Sequence, residues 1–135
     1  MSAHPFVLAE AQVSAAEHPA AAARRTVARV LDHVPGHTER ARGDAELVVS
    51  ELVSNAVRHG GGLVALRVGV TQDGSGLWLE VEDTSRQRPQ ARRALREDAA
   101  QGGGFGWPIV LRLATSVHAE DVPGGKRIRV VLPVA

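Results

Sequence analysis

Cysteine is absent from the 135-residue chain, and its absence excludes disulfides, thiolate metal sites and a cysteine nucleophile. Aromatic residues make up only 3%, although single-strand nucleic-acid binding usually requires aromatic stacking platforms. The formal net charge of +1 is also too balanced to favour nucleic acid through bulk electrostatics. We therefore expect no direct nucleic-acid partner.

Long hydrophobic runs are missing as well. The longest apolar stretches are far too short to span a bilayer, and the amino terminus lacks the basic, apolar and small-residue pattern of a secretory signal. We therefore expect no membrane association and a cytoplasmic location. The length is that of one domain that can bury its own core.

Several familiar catalytic signatures fail. The pattern G-x-G-x-x-G does not fit, because Trp107 stands where the third glycine is required, and Lys126 has no upstream glycine at P-loop spacing. No G-x-S-x-G is present. The six histidines are scattered, so a zinc site has little support.

Hydrophobic periodicity predicts the order of the elements. In chain order these are a weak edge strand at 6–8, a helix from Pro19 to about His33, a main helix capped by Asp44 and ended by Gly60, strands at 63–70 and 77–83, a helix at 107–114, and strands at 116–119 and 128–132. This order predicts an α+β fold, a two-layer α/β sandwich whose mixed, mostly antiparallel sheet is covered on one face by helices. We assign 1–17 to an N-terminal edge segment and 18–135 to a single domain.

The main helix, residues 44–60, carries the chain's clearest pattern. Its apolar stripe is formed by Ala45, Val48, Val49, Leu52 and Ala56. Glu51 and Asn55 lie at the edge of this stripe, one helical turn apart, so both side chains reach the same point. A carboxylate and an amide placed in this way could hold a water and a hard cation together.

Two further features complete the pattern. Asp83 ends a strand, and the apolar periodicity then lapses over about 84–104, a length typical of a functional lid or a disordered loop. The glycine-rich run Gly102–Gly106 closes the lid and opens the next helix. Unpaired amides at such a helix start favour phosphate.

Together these segments resemble a known superfamily. The run E-L-V-S-N-A-V-R-H-G from Glu51 to Gly60 resembles the N-box of the GHKL ATP-binding proteins, and most of all that of stand-alone anti-sigma-factor serine/threonine kinases. Asp83 in V-E-D looks like the adenine-reading aspartate, and Gly102–Gly106 is similar to the G-x-G phosphate box. The order and spacing agree over roughly 20–133.

The resemblance implies a Bergerat-type ATP-binding fold with ATP and Mg²⁺ as cofactors. Glu51 would be the catalytic base and Asn55 the metal ligand. The cofactor-binding residues implied are Asn55, His59, Asp83, Gly102, Gly104, Phe105, Gly106 and Lys126. The implied partners are a sigma factor and a STAS-type anti-sigma antagonist, and Val57 and Leu47 are candidates for a partner or homodimer surface.

Departures from the family pattern leave alternatives open. Asp83 is followed by Thr84 and Ser85, where the family usually continues Asp-x-Gly-x-Gly. Gly125, Lys126 and Arg127 stand where many members carry Gly-Thr. A kinase, a nucleotide-binding module that has lost catalysis, and a protein-interaction domain without nucleotide all remain compatible with the sequence.

Overall fold

The computed structural model describes residues 6–59, 64–84 and 106–135. In chain order the elements are β1 (Phe6–Gln12), a 3-10 turn (Val13–Ala15), α1 (Pro19–Leu31), α2 (Glu39–His59), β2 (Val64–Val70), β3 (Gly76–Asp83), α3 (Gly106–Leu113), β4 (Ser116–Val122) and β5 (Gly125–Pro133). The predicted lid lies outside the described residues, apart from Thr84.

The five described strands form one sheet in the order β1-β2-β3-β5-β4. Every pairing among them is antiparallel. α1 packs over β1 and β2, α2 lies against α1 and over β3, and α3 packs against α2. The α+β two-layer prediction is confirmed, and the sheet is purely antiparallel in the described strands rather than mixed.

The apolar stripe of α2 forms the centre of the core, as its 3.6-residue period predicts. All five stripe residues are buried, together with Val53, which the stripe did not include. Beneath them, β2 and β3 turn alternate aliphatic side chains such as Leu66 and Leu79 toward the helices. Burial of each such Val or Leu contributes about 1.5–3 kcal/mol, which fixes the face of α2 that meets the sheet.

α2 begins before Asp44, the residue that the sequence predicted as its cap. It starts at Glu39, and the Thr38 hydroxyl accepts a hydrogen bond from the Ala41 N–H at 3.1 Å, so Thr38 acts as the cap instead of Asp44. Gly43 is accommodated inside the helix, because one glycine costs only about 1 kcal/mol relative to alanine. The extra turn is polar, so periodicity could not reveal it.

The face of the sheet opposite the helices also carries buried side chains. Trp78 and Glu80 point to this face and are each 1% exposed. Glu80 accepts hydrogen bonds from Arg67 Nη1 at 2.9 Å and from Arg129 Nη2 at 2.6 Å. The Arg129 guanidinium also lies 4.9 Å from the centroid of the Trp78 ring.

Arg127 completes this cluster on the outer face. Its Nε lies 3.6 Å from Glu80 Oε1, and its Nη2 donates to Glu82 at 3.3 Å. Burial lowers the pKa of Arg127, but the charge of Glu80 and the hydrogen bond to Glu82 outweigh it and hold the pKa above its usual value. None of the described helices has the combination of length and apolar character needed to cross a bilayer.

Candidate functional site

Glu51 and Gly106 meet where α2 packs against α3. Gly106 is the first residue of α3 and is buried. A Cβ placed on Gly106 would overlap Glu51 Oε2 and lie 2.9 Å from Glu51 Cδ. Only glycine can therefore stand at this position while the carboxylate keeps its place.

This contact places the Glu51 carboxylate beside the first turn of α3. The amides of a first helical turn have no partner within the helix and favour negative charge. Within the described part of the chain, no hydrogen bond or ion pair engages the Glu51 carboxylate, which is half-buried. A carboxylate without a partner at a helix start has the properties of a general base beside an anion-binding position.

Asn55 lies one turn after Glu51 on α2 and is half-buried. Its Oδ1, the atom expected to bind Mg²⁺, accepts a hydrogen bond from Arg58 Nη2 at 3.1 Å. Arg58 is exposed and lies three residues further along the helix, where side chains are neighbours. Arg58 was not among the predicted site residues, although its spacing from Asn55 was a usable signal.

Asp83 and Lys126 form a buried ion pair at the ends of β3 and β5. Lys126 Nζ lies 3.0 Å from Asp83 Oδ1 and 2.9 Å from Oδ2. The Lys126 and Asp83 side chains are only 4% and 3% exposed. Lys126 was predicted as a cofactor-binding residue, but its pairing with Asp83 was not foreseen.

Strand register explains this pairing. Asp83 lies directly opposite Lys126 in the antiparallel ladder, so both side chains leave the sheet on the helix-covered face. A Cβ on the preceding Gly125 would overlap the Asp83 carbonyl oxygen and lie 2.8 Å from Thr84 Cα. Gly125 thus allows the start of β5 to pass close to the end of β3.

Four other predicted site residues lie wholly or partly outside the described part of the structure. His59 is the last residue of α2, and its side chain is outside the described part of the structure. Gly102, Gly104 and Phe105 lie outside the described residues altogether. The predicted residues therefore meet in two described pairs, Glu51 with Gly106 and Asp83 with Lys126.

The donor atoms fit a nucleotide and a magnesium ion. Among the described residues, no three His, Asp or Glu side chains gather as a metal cage. Mg²⁺ does not need such a cage, because it commonly takes one or two protein oxygens and completes its shell with phosphates and water. Asn55 Oδ1 would provide such an oxygen, and Gly106 stands in the first turn of α3, where backbone amides favour phosphate.

Two solved structures share this fold. The RsbU and RsbW domains of Rv1364c from Mycobacterium tuberculosis align with 96% of this chain at a TM-score of 0.64 and 16% identity. A blue-light activated histidine kinase from Erythrobacter litoralis aligns with 80% of the chain at a TM-score of 0.51 and 21% identity. The aligned parts cover 32% and 39% of those proteins, so this chain corresponds to about a third of each.

Comparison with proteins of curated function found no match to this sequence. A family profile described as the histidine kinase-like ATPase domain matches residues 13–132, which is nearly the whole chain. This match covers both described pairs of site residues and implies ATP as the ligand. On this ground, the chain belongs to the histidine kinase-like ATPase domain family.

Proposed function

We propose that the chain is an ATP-dependent protein serine/threonine kinase with a role in transcription regulation. The contact between Glu51 and Gly106 is the observation that carries the proposal. It brings a carboxylate without a described partner against the first turn of α3, where backbone amides favour phosphate. A candidate base and a candidate phosphate position thus lie side by side.

ATP with Mg²⁺, when bound, supplies the phosphoryl group, which passes to the hydroxyl oxygen as the bond to ADP breaks. Glu51 accepts the proton of that hydroxyl, on a serine or threonine of the partner protein, and later releases it to water. Asn55 would offer its amide oxygen to the metal, in place of the hydrogen bond that this oxygen accepts from Arg58. Gly106 has no side chain, and this lets the Glu51 carboxylate lie against the first turn of α3.

The kinase proposal is tested with labelled ATP and candidate antagonist proteins. Glu51→Gln should lower phosphoryl transfer by at least about 100-fold, since a positioned general base contributes typically that much or more. Glu46→Gln is the matched control, because Glu46 is also a half-buried glutamate of α2. Undiminished transfer by Glu51→Gln would contradict the assignment of the base.

A second candidate function is nucleotide-dependent binding without turnover. Two contacts favour this candidate. Arg58 donates a hydrogen bond to Asn55 Oδ1, the proposed metal ligand, and Lys126 donates to Asp83, the proposed base-reading carboxylate. Cationic side chains of the protein itself therefore already engage both groups. Calorimetry that finds ATP binding with no transfer to any antagonist would favour this candidate. A protein-interaction domain without nucleotide is excluded if Mg²⁺-dependent ATP binding is measured.

The proposed partners are a sigma factor and a STAS-type anti-sigma antagonist, in the cytoplasm. This part of the proposal rests on the resemblance of Glu51–Gly60 to the anti-sigma-factor kinases. Leu47 and Val57 of α2 are 41% and 46% exposed, which suits a partner or homodimer surface. Sedimentation with a candidate sigma factor should show a complex that Leu47→Asp or Val57→Asp weakens, and an undisturbed complex would contradict this surface.

A further inference from the structure

The ion pair between Asp83 and Lys126 lies at the position where the nucleobase is expected. The inference drawn from it rests on the proposed nucleotide site. Lys126 Nζ approaches both carboxylate oxygens of Asp83, at 3.0 and 2.9 Å. A base that reaches Asp83 therefore meets a hydrogen-bond acceptor and a cationic donor side by side, and not a carboxylate alone.

The pair presents two complementary functions to a purine edge. A carboxylate has about four acceptor sites and an ammonium has three donors, so their mutual bonds alone exhaust neither group. Adenine carries a 6-amino donor beside the N1 acceptor, whereas hypoxanthine carries a 6-oxo acceptor beside an N1–H donor. Asp83 with Lys126 can satisfy either edge, because each edge consists of one donor and one acceptor.

Without Lys126, the site would discriminate sharply between 6-amino and 6-oxo purines. A lone carboxylate accepts from the 6-amino group of adenine but repels the 6-oxo oxygen of hypoxanthine or guanine. With Lys126 in place, Nζ can donate to that oxygen while Asp83 accepts from N1–H. We propose that Lys126 is a specificity-determining residue that opens the base site to both 6-amino and 6-oxo purine nucleotides.

Burial of Asp83 and Lys126 strengthens their hydrogen bonds to a base. The Asp83 and Lys126 side chains are 3% and 4% exposed, so hydrogen bonds to them form in a medium of low dielectric constant, where unmatched polar groups are costly. Whatever covers the pair must move before a base can bind. That cost is the same for each base and cancels in a ratio of dissociation constants.

The test compares ATP with inosine triphosphate, whose base differs from adenine at this edge. Calorimetry in the presence of Mg²⁺ should find dissociation constants for the two nucleotides within about tenfold of each other. In Lys126→Thr the ratio should move toward ATP by at least about tenfold, the range expected for loss of one good base-edge contact. Lys126→Met removes the same charge at similar side-chain length and should move the ratio in the same direction.

Arg127→Gln serves as the matched control. Arg127 is the next residue of β5, and its side chain points to the opposite face of the sheet. The substitution should lower stability, since Arg127 pairs with Glu82 and Glu120, but it should leave the nucleotide ratio unchanged. A ratio that moves equally in Arg127→Gln and Lys126→Thr would overturn the assignment, because the effect would then be structural.

The outcomes separate this inference from the proposed function. If the wild type prefers ATP by more than about tenfold, or if Lys126→Thr leaves the ratio unchanged, the inference fails while the ATP site stands. If the wild type binds neither triphosphate, the proposed function fails and the inference falls with it. If the Lys126 variants do not fold, the wild-type ratio of the two dissociation constants remains a test of the inference.

Discussion

Replacing Glu80 by glutamine would remove the one carboxylate on which the outer-face cluster converges. Glu80 is 1% exposed and accepts from Arg67 and Arg129, and Arg127 Nε lies 3.6 Å away. Glutamine has nearly the same shape, so the change isolates the charge from the packing. After the change, three guanidinium groups would face one another without the anion that separates them.

The size of the effect follows from the exposure of the partners. Breaking a fully buried ion pair costs about 3–5 kcal/mol, whereas exposed pairs contribute about 0–1 kcal/mol. The side chains of Arg67, Arg127 and Arg129 are 37%, 32% and 37% exposed, so water would take over part of their solvation. We therefore expect Glu80→Gln to lower the free energy of unfolding by about 2–3 kcal/mol, and the melting temperature by about 10 °C.

Urea and thermal unfolding, followed by circular dichroism, measure this loss. Glu82→Gln is the control, since Glu82 lies two residues along on the same face, is 39% exposed and pairs with Arg127 at 3.3 Å. It should cost less than about 1 kcal/mol. Equal losses in the two variants, or a loss below about 1 kcal/mol for Glu80→Gln, would refute the view that burial makes this carboxylate important.

Two further predictions concern the proposed catalytic site and a hairpin. Gly106→Ala should abolish most phosphoryl transfer with little loss of stability, because the new Cβ displaces the Glu51 carboxylate. The control is Gly43→Ala, whose new Cβ meets no atom within 4 Å and should leave transfer intact. Equal transfer in both variants would contradict the contact between Gly106 and Glu51. Asp73 should titrate below its ordinary pKa of 3.8, because the Ser75 N–H and the Thr71 and Ser75 hydroxyls donate to its carboxylate. The contribution of Asp73 to stability is present above the ordinary pKa and is lost as the pH falls through the lower folded-state pKa. A carboxyl titration by NMR measures the pKa of Asp73. An unshifted pKa, or a pKa that Thr71→Val does not raise, would contradict the prediction.

Much of the fold could be predicted because its signals are local. The period of Val48, Val49 and Leu52 identified the buried face of α2 without any knowledge of the sheet. The cap of α2 is Thr38 instead of the predicted Asp44, because the polar turn between them carries no periodicity. β1 continues to Gln12, beyond the predicted 6–8, since β2 supplies its hydrogen bonds from far along the chain.

In the candidate site, too, the contacts within one helix could be predicted from sequence and the contacts between distant strands could not. Glu51 and Asn55 could be paired from sequence because helical spacing alone makes them neighbours. The Asp83–Lys126 pair could not be foreseen, because it depends on the register between β3 and β5, and the residues are 43 positions apart. The burial of Glu80 on the outer face depends on arginines that β2 and β5 contribute, so the local pattern of β3 could not reveal it.

Lys126 is the single lysine of the chain, and in the folded protein its amine is held against Asp83 with 4% of the side chain exposed. An acylating reagent therefore has one side-chain amine to modify, and it can do so only when that amine is deprotonated and uncovered. The rate of acylation at Lys126 then reports how often the base site opens, as hydrogen exchange does for backbone amides. Mass spectrometry of a single labelled position can thus follow opening of this site without any bound nucleotide.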